Sequence, residues 1–314
     1  MNNPIFSVYL HNPAHNGDVL ASSQIVKVLV KSNPEIKFKI VPSCSSVLFE
    51  ELVNDNVELL EHTSKWIFTT NYVENPDDDV FAFRDTLYGT KNNNLYINMW
   101  KLMLLHNSGC LDIENKVNVV NDLLEEIYQY YNFRLFFNAK CTEDLVPEIP
   151  EYDISFMNNY LPIHHNPYVT EKKHNKTIFF FNLFGCSGQD SNTFSCNFND
   201  NYTRMLLDEN PDSLIIIVDK SSITHPNVLS LTDDLKIEKM QSGKSLVLYA
   251  NICKLCDEVH FKDNGGSLFF LNKVNIGKRN TKYFCLSNND LFYNVLKNTY
   301  KLNCFYVPYF QQYN

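Results

Sequence analysis

Short, continuous apolar runs alternate with longer segments of helical period along this chain, and the alternation occurs twice. Residues 5–10 form an apolar run. After the polar stretch 11–18, Val19, Leu20, Ile25, Val26, Leu29 and Val30 recur at three- and four-residue spacing until Asn33-Pro34. Apolar runs at 38–41 and 57–60 enclose a further helical segment at 47–53. Short buried strands separated by amphipathic helices specify a parallel sheet with helices on its faces, because parallel strands need crossover connections. The pattern restarts at 177–181 and continues through helical segments at 198–210, 245–253 and 289–298. Strand-like runs lie at 214–218, 258–261, 283–286 and 303–307, with a short helix expected at 266–272. Residues 94–105 read as one helix and 117–131 as another, and 71–79, polar with Pro76, as a loop.

Between the two alternations, residues 141–175 hold Pro147, Pro150, Pro162 and Pro167 among charges and histidines, which is linker chemistry. The expected division is therefore an N-terminal domain over 1–145, a linker over 146–175 and a C-terminal domain over 176–314. A length of 314 residues suits two domains. No repeat of solenoid length is present.

Bulk chemistry removes several function classes. The hydrophobic share of 44% excludes a disordered chain. A net charge of −9 lacks the electrostatic footprint of a sequence-independent nucleic-acid binder, so no nucleic-acid partner is expected. No apolar run is long enough to span a bilayer, and residues 1–10 lack the basic and apolar regions of a signal peptide. The nine cysteines are an odd number without a framework, so the expectation is reduced thiols and a cytoplasmic location. Asparagine is abundant, as in Asn92-Asn93-Asn94, and reads as the codon bias of an AT-rich genome.

In open parallel sheets ligands bind beyond the carboxyl ends of strands, so the strand-to-helix turns are where chemistry belongs. Three stand out. The first, 11–18, contains His11, His15, Asn16, Gly17 and Asp18. Gly17 permits close backbone approach or an unusual dihedral. Asp18 reads either as a helix N-cap or as a general base, with His11 or His15 tuning it or touching substrate. The second, 181–191, follows the strongest strand and carries Asn182, Gly185, Ser187, Gly188 and Gln189; it reads either as a surface loop or as a phosphate cradle rich in N–H donors. The third, 262–268, holds Asp263, Asn264, Gly265, Gly266 and Ser267; it reads either as a tight turn cornered at Asn264-Gly265 or, favoured by its place after a parallel strand, as a glycine pair opening a helix with amides that suit an anion. Asp77-Asp78-Asp79 reads as a solvated charge run and His164-His165 as exposed linker residues. Cys253 and Cys256, spaced for a helix and lacking a second ligand pair, read as core.

Taken together these turns resemble the GT-B glycosyltransferases, and most closely the ADP-heptose–lipopolysaccharide heptosyltransferase-like group. The resemblance rests on Asn16-Gly17-Asp18-Val19-Leu20 after the first strand, on the strand and small-residue loop from Ile178 to Ser187, and on Asp263-Asn264-Gly265-Gly266-Ser267-Leu268 opening a later helix. It implies two Rossmann-like α/β domains facing a central cleft, an N-terminal acceptor domain and a C-terminal domain for a nucleotide sugar. It also implies metal-independent hexosyl or heptosyl transfer to a glycan or other hydroxyl acceptor, with no cofactor beyond the nucleotide-diphosphate sugar itself. Asp18 maps to the catalytic base. Ser187, Asn264, Gly265 and Gly266 map to diphosphate contacts, with His15, Asn16, Gly17, Asn182, Gln189, Asp263 and Ser267 around donor and substrate. The chain departs from the family where Gly265-Gly266 replaces Gly-Pro or Gly-Leu, and where the 182–191 loop lacks the phosphate-neutralising Lys. Two alternatives remain at this point: a non-catalytic protein of the same fold that binds a nucleotide or glycan, and a sugar-nucleotide epimerase.

Overall fold

The computed structural model describes residues 4–60, 83, 85–105, 115–161, 174–182, 196–219, 221–237, 243–262, 265–278, 280–287, 290–298 and 300–308. The chain divides into two compact units. The first holds Met1–Glu148 with Gln241–Gly243, and the second holds Ile149–Met240 and Lys244–Asn314.

Unit 1 opens with β1 (Ser7–Asn12), α1 (Asn16–Ser32), β2 (Phe38–Pro42), a 3₁₀ turn (Ser46–Leu52) and β3 (Val57–Leu59). Then come β4 (Tyr88–Lys91), β5 (Asn94–Asn98), α2 (Met99–Leu104) and α3 (Lys116–Tyr131). The sheet runs β3-β2-β1-β5-β4, parallel throughout except for β4, which pairs antiparallel with β5. α1 buries its apolar residues against this sheet and also encloses Lys27. That ammonium reaches Glu51 at 2.8 Å and the Glu148 carbonyl at 3.0 Å, so its charge is not left unsatisfied.

The expected helix over 94–105 begins with a strand instead. Asn92 and Asn93 both take left-handed backbone, with φ of 52° and 62°, and close a two-residue hairpin between β4 and β5. Asparagine tolerates that region better than other side-chain-bearing residues, so the turn chemistry overrides the helical period of residues 94–105. Only from Met99, capped by Asn98 Oδ1 accepting the Lys101 N–H at 3.0 Å, does the chain turn helical. The helical segment expected at 47–53 is likewise a 3₁₀ turn.

Unit 2 contains β6 (Lys176–Phe181), α4 (Cys196–Glu209), β7 (Ser213–Ile217), β8 (Val228–Ser230), α5 (Lys244–Cys253) and β9 (Glu258–Lys262). A 3₁₀ turn (Ser267–Phe270), α6 (Lys273–Gly277), β10 (Lys282–Ser287), α7 (Leu291–Asn298) and β11 (Cys304–Pro308) complete it. The six strands run β11-β10-β9-β6-β7-β8, all parallel. Read from the far edge and renumbered within the unit, that order is 3-2-1-4-5-6, the doubly wound Rossmann arrangement. Ile178, Phe180, Ile215 and Ile217 pack with Phe198, Tyr202 and Leu206 of α4 to form one side of the core. The first part of the expected linker is fastened to this unit: Asn251 Nδ2 donates to the Pro150 carbonyl at 3.0 Å, and Asn251 Oδ1 accepts the Tyr152 N–H at 3.4 Å.

Two α/β units with mainly parallel sheets in tandem are what the resemblance implies. Among the described residues, no helix is long and apolar enough to cross a membrane.

Candidate functional site

Both sheets reverse strand order beside their first strand, between β1 and β5 in unit 1 and between β6 and β9 in unit 2. Helices leave such a point toward opposite faces, which opens a crevice at the carboxyl ends of the two strands.

In unit 1 the turn after β1 is organised by Asn12. Its Oδ1 accepts the Ala14 N–H at 3.0 Å, and its Nδ2 donates to the Asp18 carbonyl at 3.1 Å and to Ser22 Oγ at 2.9 Å. This side chain therefore replaces the main-chain bonds that a tight turn would otherwise lack. His15, in extended conformation, is the last residue before α1, and its carbonyl accepts the Val19 N–H at 2.9 Å. Asp18 is the third residue of the helix rather than its N-cap, and its Oδ2 accepts the His15 N–H at 3.2 Å, the backward half of a capping box. Gly17 is buried inside the first helical turn, so of its two expected roles the unusual dihedral is corrected: α1 begins earlier than its apolar period indicates.

The turn after β2 is sewn to this one. Ser43 donates its N–H to the Asn12 carbonyl at 2.9 Å and its hydroxyl to the Ala14 carbonyl. Cys44 Sγ lies 3.6 Å from the same carbonyl, and the buried Ser45 hydroxyl donates to Asn16 Oδ1. The result is a rim of half-buried polar side chains, His15, Asn16, Asp18 and Cys44, on the carboxyl side of two parallel strands. Burial holds the His15 imidazole below its ordinary range against the opposing pull of the Asp18 carboxylate. Burial also pushes the Cys44 thiol up, and Asp18 adds to that, while hydrogen bonds with Ser43 and Ser45 oppose it. The rim thus offers the Asp18 carboxyl group, an imidazole that burial keeps uncharged near neutral pH, an amide and an unreactive thiol. That set can accept a proton and hydrogen-bond a polyhydroxyl ligand.

In unit 2 the register pairs Phe181 with Phe261, so the ends of β6 and β9 lie side by side. Asn182, directly after β6, is buried. Its Oδ1 accepts the N–H groups of Val218 at 2.8 Å and Asp219 at 2.9 Å, and its Nδ2 donates to the Asp219 carbonyl at 3.3 Å. The side chain is committed to joining the ends of β6 and β7. Gly265 and Gly266 are half-buried in the turn after β9. Gly266 is right-handed, with φ −71° and ψ −36°, and the buried Ser267 opens a four-residue 3₁₀ turn. The pair therefore does not open an α-helix as expected, and any anion contact there relies on individual turn amides. Ser187, Gln189, Asp263 and Asn264 lie outside the described residues, as do Asp77-Asp78-Asp79 and His164-His165. Cys253 and Cys256 are buried, and that burial raises both thiols.

Asn12 and the Ser43–Ser45 cluster are rim residues that the spacing does not single out. A polar residue ending a buried run, and three small polar residues after the next run, were the available signals.

No protein-family model matches the chain, and no curated protein matches it. Solved glycosyltransferases do resemble it. One is the Escherichia coli ADP-heptose lipopolysaccharide heptosyltransferase II, at 11% identity and a TM-score of 0.44, covering 98% of this chain and 92% of that one. Another is a glycosyl transferase family 9 protein from Veillonella parvula, at 12% identity and 0.41, covering 98% and 87%. A third is the E. coli heptosyltransferase WaaC with ADP, at 14% identity and 0.38, covering 89% and 87%.

Proposed function

We propose that the chain transfers a glycosyl group from a nucleotide-diphosphate sugar to a hydroxyl acceptor. The observation that carries this reading is the position of the rim around Asp18 and the turn at Gly265-Gly266-Ser267. Each lies at the carboxyl end of a strand bordering the strand-order reversal of its own unit. In the proposed step the acceptor oxygen attacks the anomeric carbon while Asp18 takes the hydroxyl proton. The bond from that carbon to the diphosphate breaks, and the nucleoside diphosphate leaves with the electron pair. Amides of the 265–267 turn stabilise the charge that develops on the leaving group, without a resident metal ion. His15, held neutral by burial, and Asn16 hydrogen-bond the sugar hydroxyls.

Asp18→Asn tests the base. The amide oxygen can still accept the His15 N–H, so the fold is expected to keep its melting temperature. Transfer should fall by about two to four orders of magnitude. A mutant with native turnover would end the assignment. The donor class comes from thermal shift with ADP-, GDP- and UDP-sugars, since a ligand selective for the native state raises its apparent stability.

A second reading, a binding protein of the same fold without catalysis, is favoured by one observation: the Asp18 carboxylate already has a structural task, accepting the His15 N–H. Calorimetric binding with neither transfer nor donor hydrolysis across an acceptor panel would select it.

A further inference from the structure

Away from the strand-order reversal of its own sheet, unit 1 contains a groove of about 420 Å³ between α3 and the chain that succeeds it. Burial alternates residue by residue along 133–139, the pattern of an extended chain. Leu135, Phe137 and Ala139 are buried, and Arg134, Phe136 and Asn138 between them are exposed. This segment is tied along one side only. Asn33 Oδ1 accepts the Phe136 N–H and Asn33 Nδ2 donates to the Phe136 carbonyl, both at 2.8 Å, while Ser32 Oγ accepts the Asn138 N–H at 3.1 Å. Successive peptide groups of an extended chain point to opposite sides, so the main-chain groups of Leu135 and Phe137 turn away from Asn33. Both residues line the groove, and among the described residues their main-chain groups make no hydrogen bond. The segment thus presents unpaired main-chain groups in the manner of an open strand edge.

The opposite wall is acidic. Asp122 and Glu125 of α3 are exposed and line the groove. Among the described residues Asp122 makes no ion pair, and Glu125 touches only Gln129 Nε2, at 3.5 Å. Among the described residues the groove's own cation forms no ion pair with either: the Arg134 guanidinium lies over the Tyr128 ring, 4.0 Å from its centroid. An occupant that satisfies both walls needs main-chain donors and acceptors at strand spacing and positive side chains on alternate residues. We propose that this groove binds an extended, basic peptide segment, which adds alongside 133–139 as a further strand. Main-chain bonds supply affinity in this mode and alternate side chains supply specificity. A second copy of the chain, itself at −9, suits the acidic wall poorly.

The probe is a fluorescein-labelled nonapeptide of alternating lysine and threonine, titrated with the full chain and read by fluorescence anisotropy. Saturable binding is expected. The double variant Asp122→Asn/Glu125→Gln should weaken it about tenfold, the loss of two modest charge contacts, with an unchanged melting curve. Replacing the peptide's central threonine by proline keeps the charge but removes a main-chain donor, and should abolish binding. Three results would overturn the proposal: no saturable binding, equal binding of the proline peptide, or full binding by the double variant. Sedimentation showing a dimer that the double variant disrupts would replace the peptide with a second copy.

Discussion

Asn182→Ala separates a scaffold residue from a ligand contact. Three hydrogen bonds disappear with the amide: those to the Val218 and Asp219 N–H groups and to the Asp219 carbonyl. Val218 is fully buried, so its N–H has no route to water once Oδ1 is gone. Leaving it unsatisfied costs about 1–3 kcal/mol. Asp219 is half-buried and its groups can be rehydrated, which adds roughly 1 kcal/mol. The expected loss is therefore about 2–4 kcal/mol, confined to unit 2. Urea unfolding followed by circular dichroism is the assay. With a slope of about 2 kcal/mol/M, the midpoint of the unit 2 transition should fall by about 1–2 M at unchanged slope. Two units can unfold in two steps, so the transitions must be fitted separately. A loss below roughly 0.5 kcal/mol, near the typical surface substitution, would refute the argument. If such a stable mutant also lost the thermal shift given by a nucleotide sugar, Asn182 would be a ligand contact after all.

Other outcomes rest on the same structure. Gly243 has φ +79°, and a Cβ there would lie 2.7 Å from the Ser45 Cα; Gly243→Ala should cost about 1–3 kcal/mol by thermal melting and disturb the Ser45–Asn16 contact. Lys27→Met should stay within about 1 kcal/mol of native in urea, whereas Glu51→Ala, which leaves the buried ammonium without its carboxylate, should cost about 1–3 kcal/mol. Burial alone would raise the Glu258 carboxyl, but hydrogen bonds and charge from His260 and Lys176 outweigh it and hold it at about 2. That lies below the ordinary value of about 4.3, so the stabilisation is full above that pH and is lost as pH falls toward the folded value; it amounts to at most roughly 3 kcal/mol. Glu258→Gln should accordingly flatten the acid limb of a stability–pH curve, and an unchanged limb would count against the network.

Elements with an uninterrupted period were legible in the sequence: α1, β6 and β7 emerge directly from apolar spacing. Failures occurred where main-chain chemistry outweighs that spacing. Asn94–Asn98 is strand because a left-handed Asn pair precedes it, and Asn runs carry no period. The segments 47–53 and 266–272 have helical spacing, but each closes as a 3₁₀ turn, a hydrogen-bond pattern that residue spacing over so few positions does not distinguish from an α-helix. β8 and α6, at three and five residues, are too short to register a pattern at all. The site was legible by location, since strand-to-helix turns can be found from spacing alone. Its wiring was not. Asn12 contacts residues two, six and ten positions later, and the Ser43–Ser45 cluster joins it across about thirty residues. Contacts of that kind exist only once β1 and β2 are paired.

The chain has nine glycines and twelve prolines in 314 residues, and its left-handed positions reflect that scarcity. Ser45, Asn92, Asn93, Asn132, Lys236 and Lys301 all sit at φ between 52° and 62°, where a Cβ crowds the following carbonyl. Asn132 ends α3 in the conformation that helices elsewhere give to glycine. Lysine has no local hydrogen bond with which to offset the crowding, so Lys236 and Lys301 hold unused thermal headroom. Glycine carries no Cβ to crowd that carbonyl, so Lys236→Gly and Lys301→Gly, both at exposed positions, should each raise the temperature at which the chain melts.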